Sequence, residues 1–131
     1  MFVVAPVTFN AAVINDDNHP RNHALLRGQN GWRPSAAYDL VPAPVVSLER
    51  RDLALTVGDY GRTASIYNLL SQAGRFGLSA QDARAAIDSL VSVVRQWRET
   101  FSTGGVSAQD VQHIASAMLP ESFFFERRPD A

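Results

Sequence analysis

The chain has 131 residues, of which 46% are hydrophobic and 19% charged, and this is the size and composition of one globular domain. Its 12 cations and 13 anions give a formal net charge of −1, with no long run of either sign, so we expect no direct binding of nucleic acid. Cysteine is absent and every cation is arginine, which excludes disulfides, thiolate metal sites and any lysine that would hold a phosphate.

The first 14 residues form an apolar opening, which we expect to be buried and helical after Pro6 because proline is tolerated in the first helical turn. It has no basic leader and falls short of the roughly 18 apolar residues that span a bilayer. We therefore expect a cytoplasmic protein with no membrane association. A chain that begins inside its own core also favours a further domain before Met1.

A polar stretch over residues 15–22 is rich in turn formers and predicts a loop. A β-hairpin is expected next, with one strand over 23–27, a turn over 28–31 and a return strand from Trp32, whose ring we place in the core. Prolines at 34, 42 and 44 keep the following segment extended. Within it, Asp39 stands between Tyr38 and Leu40 and is expected to be a buried acid.

The second half of the chain predicts helices. One covers 63–73 and ends at Gly74 in a left-handed conformation, and a second runs from an N-cap at Ser79 to about residue 102. A third helix follows a second Ser-Ala-Gln-Asp sequence, which begins at Ser107.

Three phenylalanines at 123–125 imply that the tail folds back over the core or offers one ring to a partner. The arginine pairs at 50–51 and 127–128 stand beside acids and are expected to be solvated. The stripe expected to be buried on the second helix consists of Ala83, Ile87, Leu90, Val91, Val94 and Trp97.

Two loops carry the residues that could do chemistry. Asp17 stands five positions before Asn22, which is the spacing that protein kinases use for the acid facing the substrate hydroxyl and the asparagine that binds magnesium. Asp39 supplies a second carboxylate in the loop after the hairpin. The alternative for all three residues is a structural role in turns, where Asp and Asn side chains bond their own backbone.

A resemblance rests on two stretches, Asn-Asp-Asp-Asn-His-Pro-Arg-Asn-His-Ala-Leu-Leu over 15–26 and Gly-Trp-Arg-Pro-Ser-Ala-Ala-Tyr-Asp-Leu-Val-Pro over 31–42. They resemble the C-terminal lobe of HipA-type serine/threonine kinases, the toxin half of bacterial toxin–antitoxin modules. The resemblance implies a mainly α fold with one small β-hairpin near the catalytic loop. It also implies a single domain over 1–131, with the catalytic and metal loops in 1–60 and a helical subdomain in 61–131.

The resemblance further assigns roles to three residues, and a fourth is expected beside them. Asp17 would be the catalytic acid that orients and deprotonates the acceptor hydroxyl, while Asn22 and Asp39 would bind magnesium. His19 joins Asn22 and Asp39 as a residue expected at the cofactor, where it would support the catalytic loop through a hydrogen bond. The implied cofactors are ATP and magnesium.

The family's N-terminal lobe, which covers the nucleotide and carries a phosphate-contacting lysine, has no counterpart in this sequence. The resemblance therefore implies that the chain is inactive alone and needs that lobe in cis or in trans, with a protein as substrate. The alternative is a non-catalytic module that binds an antitoxin-like partner, similar to HipB.

Overall fold

A computed structural model describes residues 4–43 and 52–126 of the chain. Its first helix, α1 (Val4–Ala12), contains Pro6 in the first turn, where a missing amide costs no helical hydrogen bond. Residues 10–15 at the end of α1 and just after it are all buried. The prediction of a helical opening is therefore confirmed, and burial is confirmed for its second half, whereas Ala5 is exposed. Met1, Pro44 and the two arginine pairs lie outside the described residues.

The predicted hairpin forms from β1 (Leu25–Gly28) and β2 (Gly31–Pro34), which pair antiparallel with Leu25 opposite Pro34. Gly31 has a φ of 110°, a conformation that favours glycine and lets the chain reverse direction. Both strands are exposed along their whole length, and Trp32 is 67% exposed. Placing Trp32 in the core was wrong, because the hairpin projects from the helical body and does not pack on it.

The first helix of the second half, α2 (Ile66–Ser71), is shorter than predicted. A 3-10 turn over Ala73–Phe76 follows it, and the left-handed residue is Gly77, with a φ of 71°, not Gly74. The helix therefore changes to a 3-10 turn before the chain changes direction at Gly77. The amide of Leu78 closes this turn by donating to the carbonyl of Ala73 at 3.1 Å. The predicted end at Gly74 was therefore wrong by three residues.

The long helix predicted to reach residue 102 is two helices, α3 (Ala80–Val94) and α4 (Trp97–Thr103). At the break, the amide of Gln96 bonds the carbonyl of Val93, three residues back, at 3.1 Å. This tighter turn interrupts the helix without a glycine or proline that the sequence could have shown. The predicted stripe is otherwise confirmed, with Leu90 half-buried and the other members buried: Ala83, Ile87, Val91, Val94 and Trp97.

Both predicted serine caps are present, at the start of α3 and of α5 (Ala108–Ile114). The Ser79 hydroxyl oxygen accepts from the amide of Asp82 at 3.0 Å, and Ser107 accepts from the amide of Asp110 at 3.1 Å. Each cap satisfies an amide that the first helical turn leaves free, and the aspartate complements the positive end of the helix.

The core brings residues from both halves of the chain into one cluster. Helix α1 packs on α3, and the tail folds back so that Phe123 is fully buried while Phe125 stays 39% exposed. Helices make up about half of the described residues and the hairpin supplies the paired strands, which confirms a mainly α fold. Within the described residues, no helix combines the length and hydropathy that a membrane span requires. The buried cluster consists of Ala11, Ala12, Ile14, Leu53, Val57, Ala64, Ile66, Ile87, Val91, Ala117 and Phe123.

Candidate functional site

The loop that carries Asp17 and Asn22 is closed by hydrogen bonds across its five-residue spacing. The Asn22 side-chain amide donates to the backbone carbonyl of Asp17 at 3.2 Å, and residues Pro20–Asn22 form one 3-10 turn. The Oδ1 oxygen of Asn22 takes no part in this bond and remains available as an acceptor or ligand. The Asp17 side chain is 81% exposed and so is accessible from solvent.

Two histidines support the same loop. His19 Nε2 lies 2.7 Å from Asp17 Oδ1, so its ring stands against the carboxylate of the loop. His23 Nε2 lies 2.9 Å from the side-chain oxygen of Asn18, which is buried. The loop is thus fixed from its buried side by Asn18 and on its exposed side by His19.

Asp39 is exposed, so the expectation that it is a buried acid was wrong. The flanking residues do not enclose it, because Tyr38 is itself 43% exposed and directs its hydroxyl toward the backbone of Arg21. The φ of Asp39 is 56°, in the left-handed region that costs a residue with a side chain roughly 1 kcal/mol. Within residues 4–43 and 52–126, no group forms a hydrogen bond or ion pair with its carboxylate.

Three hydrogen bonds join the Asp39 loop to the Asp17 loop. The Tyr38 hydroxyl donates to the carbonyl of Arg21 at 2.5 Å, and the Asn15 side-chain amide donates to the carbonyl of Asp39 at 2.9 Å. The amide of Ala43 donates to the carbonyl of Ile14 at 3.1 Å. The structure therefore ties together the two loops that carry the residues singled out in the sequence.

The sequence did not reveal that the side chains of Asn15 and Tyr38 join the two loops. Both belong to the stretches that carry the resemblance, but nothing in their local pattern distinguishes them from ordinary turn residues. The buried position of Asn15, at 2% exposure, follows from the depth of α1. A polar residue directly after a buried apolar helix was the available signal, since a buried amide must find partners.

The oxygen atoms of the site suit magnesium. Asn22 offers an amide oxygen and Asp39 a free carboxylate, and magnesium prefers oxygen ligands, usually one or two carboxylates completed by water and phosphate. The described residues hold no group of three or more His, Cys, Asp or Glu that could bind a metal ion by themselves. The fit to magnesium is therefore one of donor type, with the remaining ligands left to water or a phosphate-bearing ligand.

A family model described as the HipA-like C-terminal domain matches residues 3–97, which is more than half of the chain. The chain belongs to this HipA-like family. The match takes in α1, both loops, the hairpin, α2 and α3, so the resemblance seen in the sequence is confirmed over the region that contains the site. No curated protein and no solved structure matches the chain.

Proposed function

We propose that the chain is the C-terminal catalytic lobe of a HipA-like protein serine/threonine kinase. Joined to its N-terminal lobe, it would transfer the γ-phosphate of ATP to a hydroxyl group on a protein. The observation that carries the proposal is the linkage of two loops in a HipA-like domain, with an accessible acid on one and a free carboxylate on the other.

In this reaction, Asp17 orients the substrate hydroxyl and accepts its proton. The hydroxyl oxygen forms a bond to the γ-phosphorus, the bond from that phosphorus to the β–γ bridging oxygen breaks, and the electron pair leaves with ADP. His19 lies on Asp17 and holds the carboxylate in one orientation. Asn22 and Asp39 provide the oxygens that would hold magnesium, which when bound neutralises charge on the phosphates.

The lobe needs a partner to close over the nucleotide. With no lysine in the chain, any cationic contact that it makes to a phosphate must come from arginine. The hairpin presents Leu25, Leu26 and Trp32 at 44–67% exposure, together with Arg27 and Arg33, and it contains no acid. An N-terminal lobe supplied in cis or in trans would cover this apolar, basic hairpin and supply the missing phosphate contacts. The chain alone is then expected to be inactive.

The experiment combines the full chain with the N-terminal lobe of a HipA-like kinase, MgCl2 and [γ-32P]ATP in a cell extract as the source of protein substrates. We expect label on serine or threonine, and a loss of at least about 100-fold in Asp17→Ala, because a general base contributes roughly that much or more. The matched control is Asp16→Ala, which removes a neighbouring exposed carboxylate and should keep the activity. Equal labelling by the wild type and Asp17→Ala would reject the assignment.

A second candidate function is a non-catalytic module that binds an antitoxin-like protein similar to HipB. The exposed hairpin favours it, because an apolar surface of this kind is typical of protein interfaces. Two variants, Asp17→Ala and Trp32→Ser, distinguish the two functions. A binding module keeps its partner in Asp17→Ala and loses it in Trp32→Ser, whereas the kinase lobe loses labelling in Asp17→Ala even when its partner stays bound.

A further inference from the structure

Asn15 connects the buried end of α1 to the exposed loop of Asp39. Its side-chain amide donates two hydrogen bonds, to Oδ1 of Asn10 at 3.0 Å and to the carbonyl of Asp39 at 2.9 Å. Its backbone amide also donates to the carbonyl of Asn10 at 2.9 Å. Asn10 is fully buried and Asn15 is 2% exposed, so the side chain that reaches the Asp39 loop starts from a fixed position in the core.

The residue at the other end of this contact has an unfavourable backbone conformation. Asp39 has a φ of 56°, and its carboxylate has no bonding partner among the described residues that could compensate for that cost. Two side-chain hydrogen bonds hold this part of the loop, from the Asn15 amide to the Asp39 carbonyl and from the Tyr38 hydroxyl to the Arg21 carbonyl. A strained residue persists only where its surroundings fix it.

We propose that Asn15 is a positioning residue, which holds the backbone of Asp39 left-handed so that the exposed carboxylate is directed to a divalent cation. The proposal rests on the proposed function, specifically on Asp39 as a metal ligand. Asn15 touches neither metal nor substrate in this role, since both of its amide hydrogens are used inside the protein. Asn15 affects metal binding indirectly, because its hydrogen bond to the Asp39 carbonyl holds the φ of Asp39.

The test uses Mn²⁺ with ATP as a paramagnetic probe of the full chain combined with the N-terminal lobe of a HipA-like kinase, read by electron paramagnetic resonance and by NMR line broadening at Asp39. Removing a residue that orients a metal ligand by a hydrogen bond typically lowers metal affinity 10- to 100-fold. We therefore expect Asn15→Ala to raise the Kd for Mn²⁺ about tenfold. The intraresidue NOE between the amide and Hα of Asp39, which is strong at positive φ, should weaken in the same variant.

The control is Asn68→Ala, which removes another buried asparagine that donates to loop carbonyls but bonds no residue of the two site loops. It should lose stability and keep both the Mn²⁺ affinity and the Asp39 NOE. Should Asn15→Ala fail to fold, Asn15→Ser keeps a buried polar group that is too short to reach Asp39, and it should show the same two losses.

The outcomes separate the two proposals. Unchanged Mn²⁺ affinity or an unchanged Asp39 NOE in a folded Asn15 variant would overturn the positioning role and leave the kinase proposal standing. If the wild type binds no Mn²⁺ with ATP, the metal role of Asp39 fails, and the positioning role fails with it. The same is true if Asn68→Ala lowers the affinity as much as Asn15→Ala, because the effect would then be general loss of stability.

Discussion

Among residues 4–43 and 52–126, Asn68 is the buried side chain with the most hydrogen bonds, and replacing it tests how the segment before α2 is held. The residue is fully buried, and its amide donates to the carbonyls of Gly61 at 3.0 Å and Thr63 at 2.9 Å. Its side-chain oxygen accepts from the amide of Tyr60 at 3.0 Å. One side chain thus fixes the turn that leads into α2.

The magnitude follows from these three bonds. Each is worth about 1 kcal/mol net, and a buried partner left unsatisfied costs more. Tyr60 and Gly61 are exposed, so water can replace the bonds to them, whereas Thr63 is half-buried. We therefore expect Asn68→Ala to lower the free energy of unfolding by about 2–4 kcal/mol. For a chain of this size, that loss corresponds to roughly 6–15 °C in Tm.

The assay is urea unfolding followed by circular dichroism at 222 nm, with thermal unfolding as a second probe to test two-state behaviour. Asn68→Asp keeps the shape and the acceptor for Tyr60, but it turns a carboxylate oxygen toward two carbonyls, so its loss should be at least as large. The control is Gln81→Ala on the exposed first turn of α3, expected within about 0.5 kcal/mol of the wild type. An Asn68→Ala variant as stable as this control would refute the reasoning.

Three further predictions use the same unfolding assay. Gly58→Ala should destabilise the chain severely, because a Cβ at Gly58 would lie 2.0 Å from the carbonyl oxygen of Asn68, whereas Gly74→Ala, whose Cβ meets open space, should be close to neutral. Ser79→Ala should cost about 1 kcal/mol by removing the N-cap of α3, and a loss below about 0.3 kcal/mol would contradict the capping role. The hydrogen bonds that Arg84 donates to Glu126 and, second in effect, to Asp88 raise the pKa of its guanidinium. A cation with a raised pKa keeps its contribution at every pH below its ordinary value, so Arg84→Met should lose no more than about 1 kcal/mol, equally at pH 5 and pH 9; a loss that changes between them would contradict this.

Local features of the fold could be predicted from the sequence because each depends on neighbouring residues. The caps at Ser79 and Ser107 satisfy amides three positions away, and the hairpin follows from the turn residues between its strands. The buried stripe of α3 follows from helical spacing. These signals are contained within one turn or one strand pair, and they were confirmed.

Features that depend on distant contacts could not be predicted in this way. The break between α3 and α4 has no local signal, because Arg95 and Gln96 both favour helices. Apolar character alone placed Trp32 in the core, although exposure depends on what the hairpin packs against. Asp39 was placed in the interior for the same reason, because Tyr38 and Leu40 flank it in sequence. In the folded chain its side chain is exposed.

For the candidate site, the sequence predicted which residues could do chemistry but not which side chains hold them in place. Residue types and spacing singled out Asp17, Asn22 and Asp39, and the family match confirms the kind of domain that contains them. The pattern could not show that Asn15 and Tyr38 are the side chains that link the two loops, because a hydrogen bond between residues 24 positions apart depends on the folded path of the chain.

The charges of the site indicate what it needs in order to act. Asp17 and Asp39 are both exposed carboxylates, and a phosphate bound at their two loops would add further negative charge. The two loops are joined by hydrogen bonds, and like charges on neighbouring groups repel unless a cation offsets them. A divalent ion on Asp39 and Asn22 would supply that charge, and ATP would carry it into the site as its magnesium complex. We therefore expect nucleotide and metal to bind this lobe together, with neither retained well alone, and titration calorimetry of ATP with and without MgCl2 measures this directly. Equal ATP affinity in both conditions would contradict it.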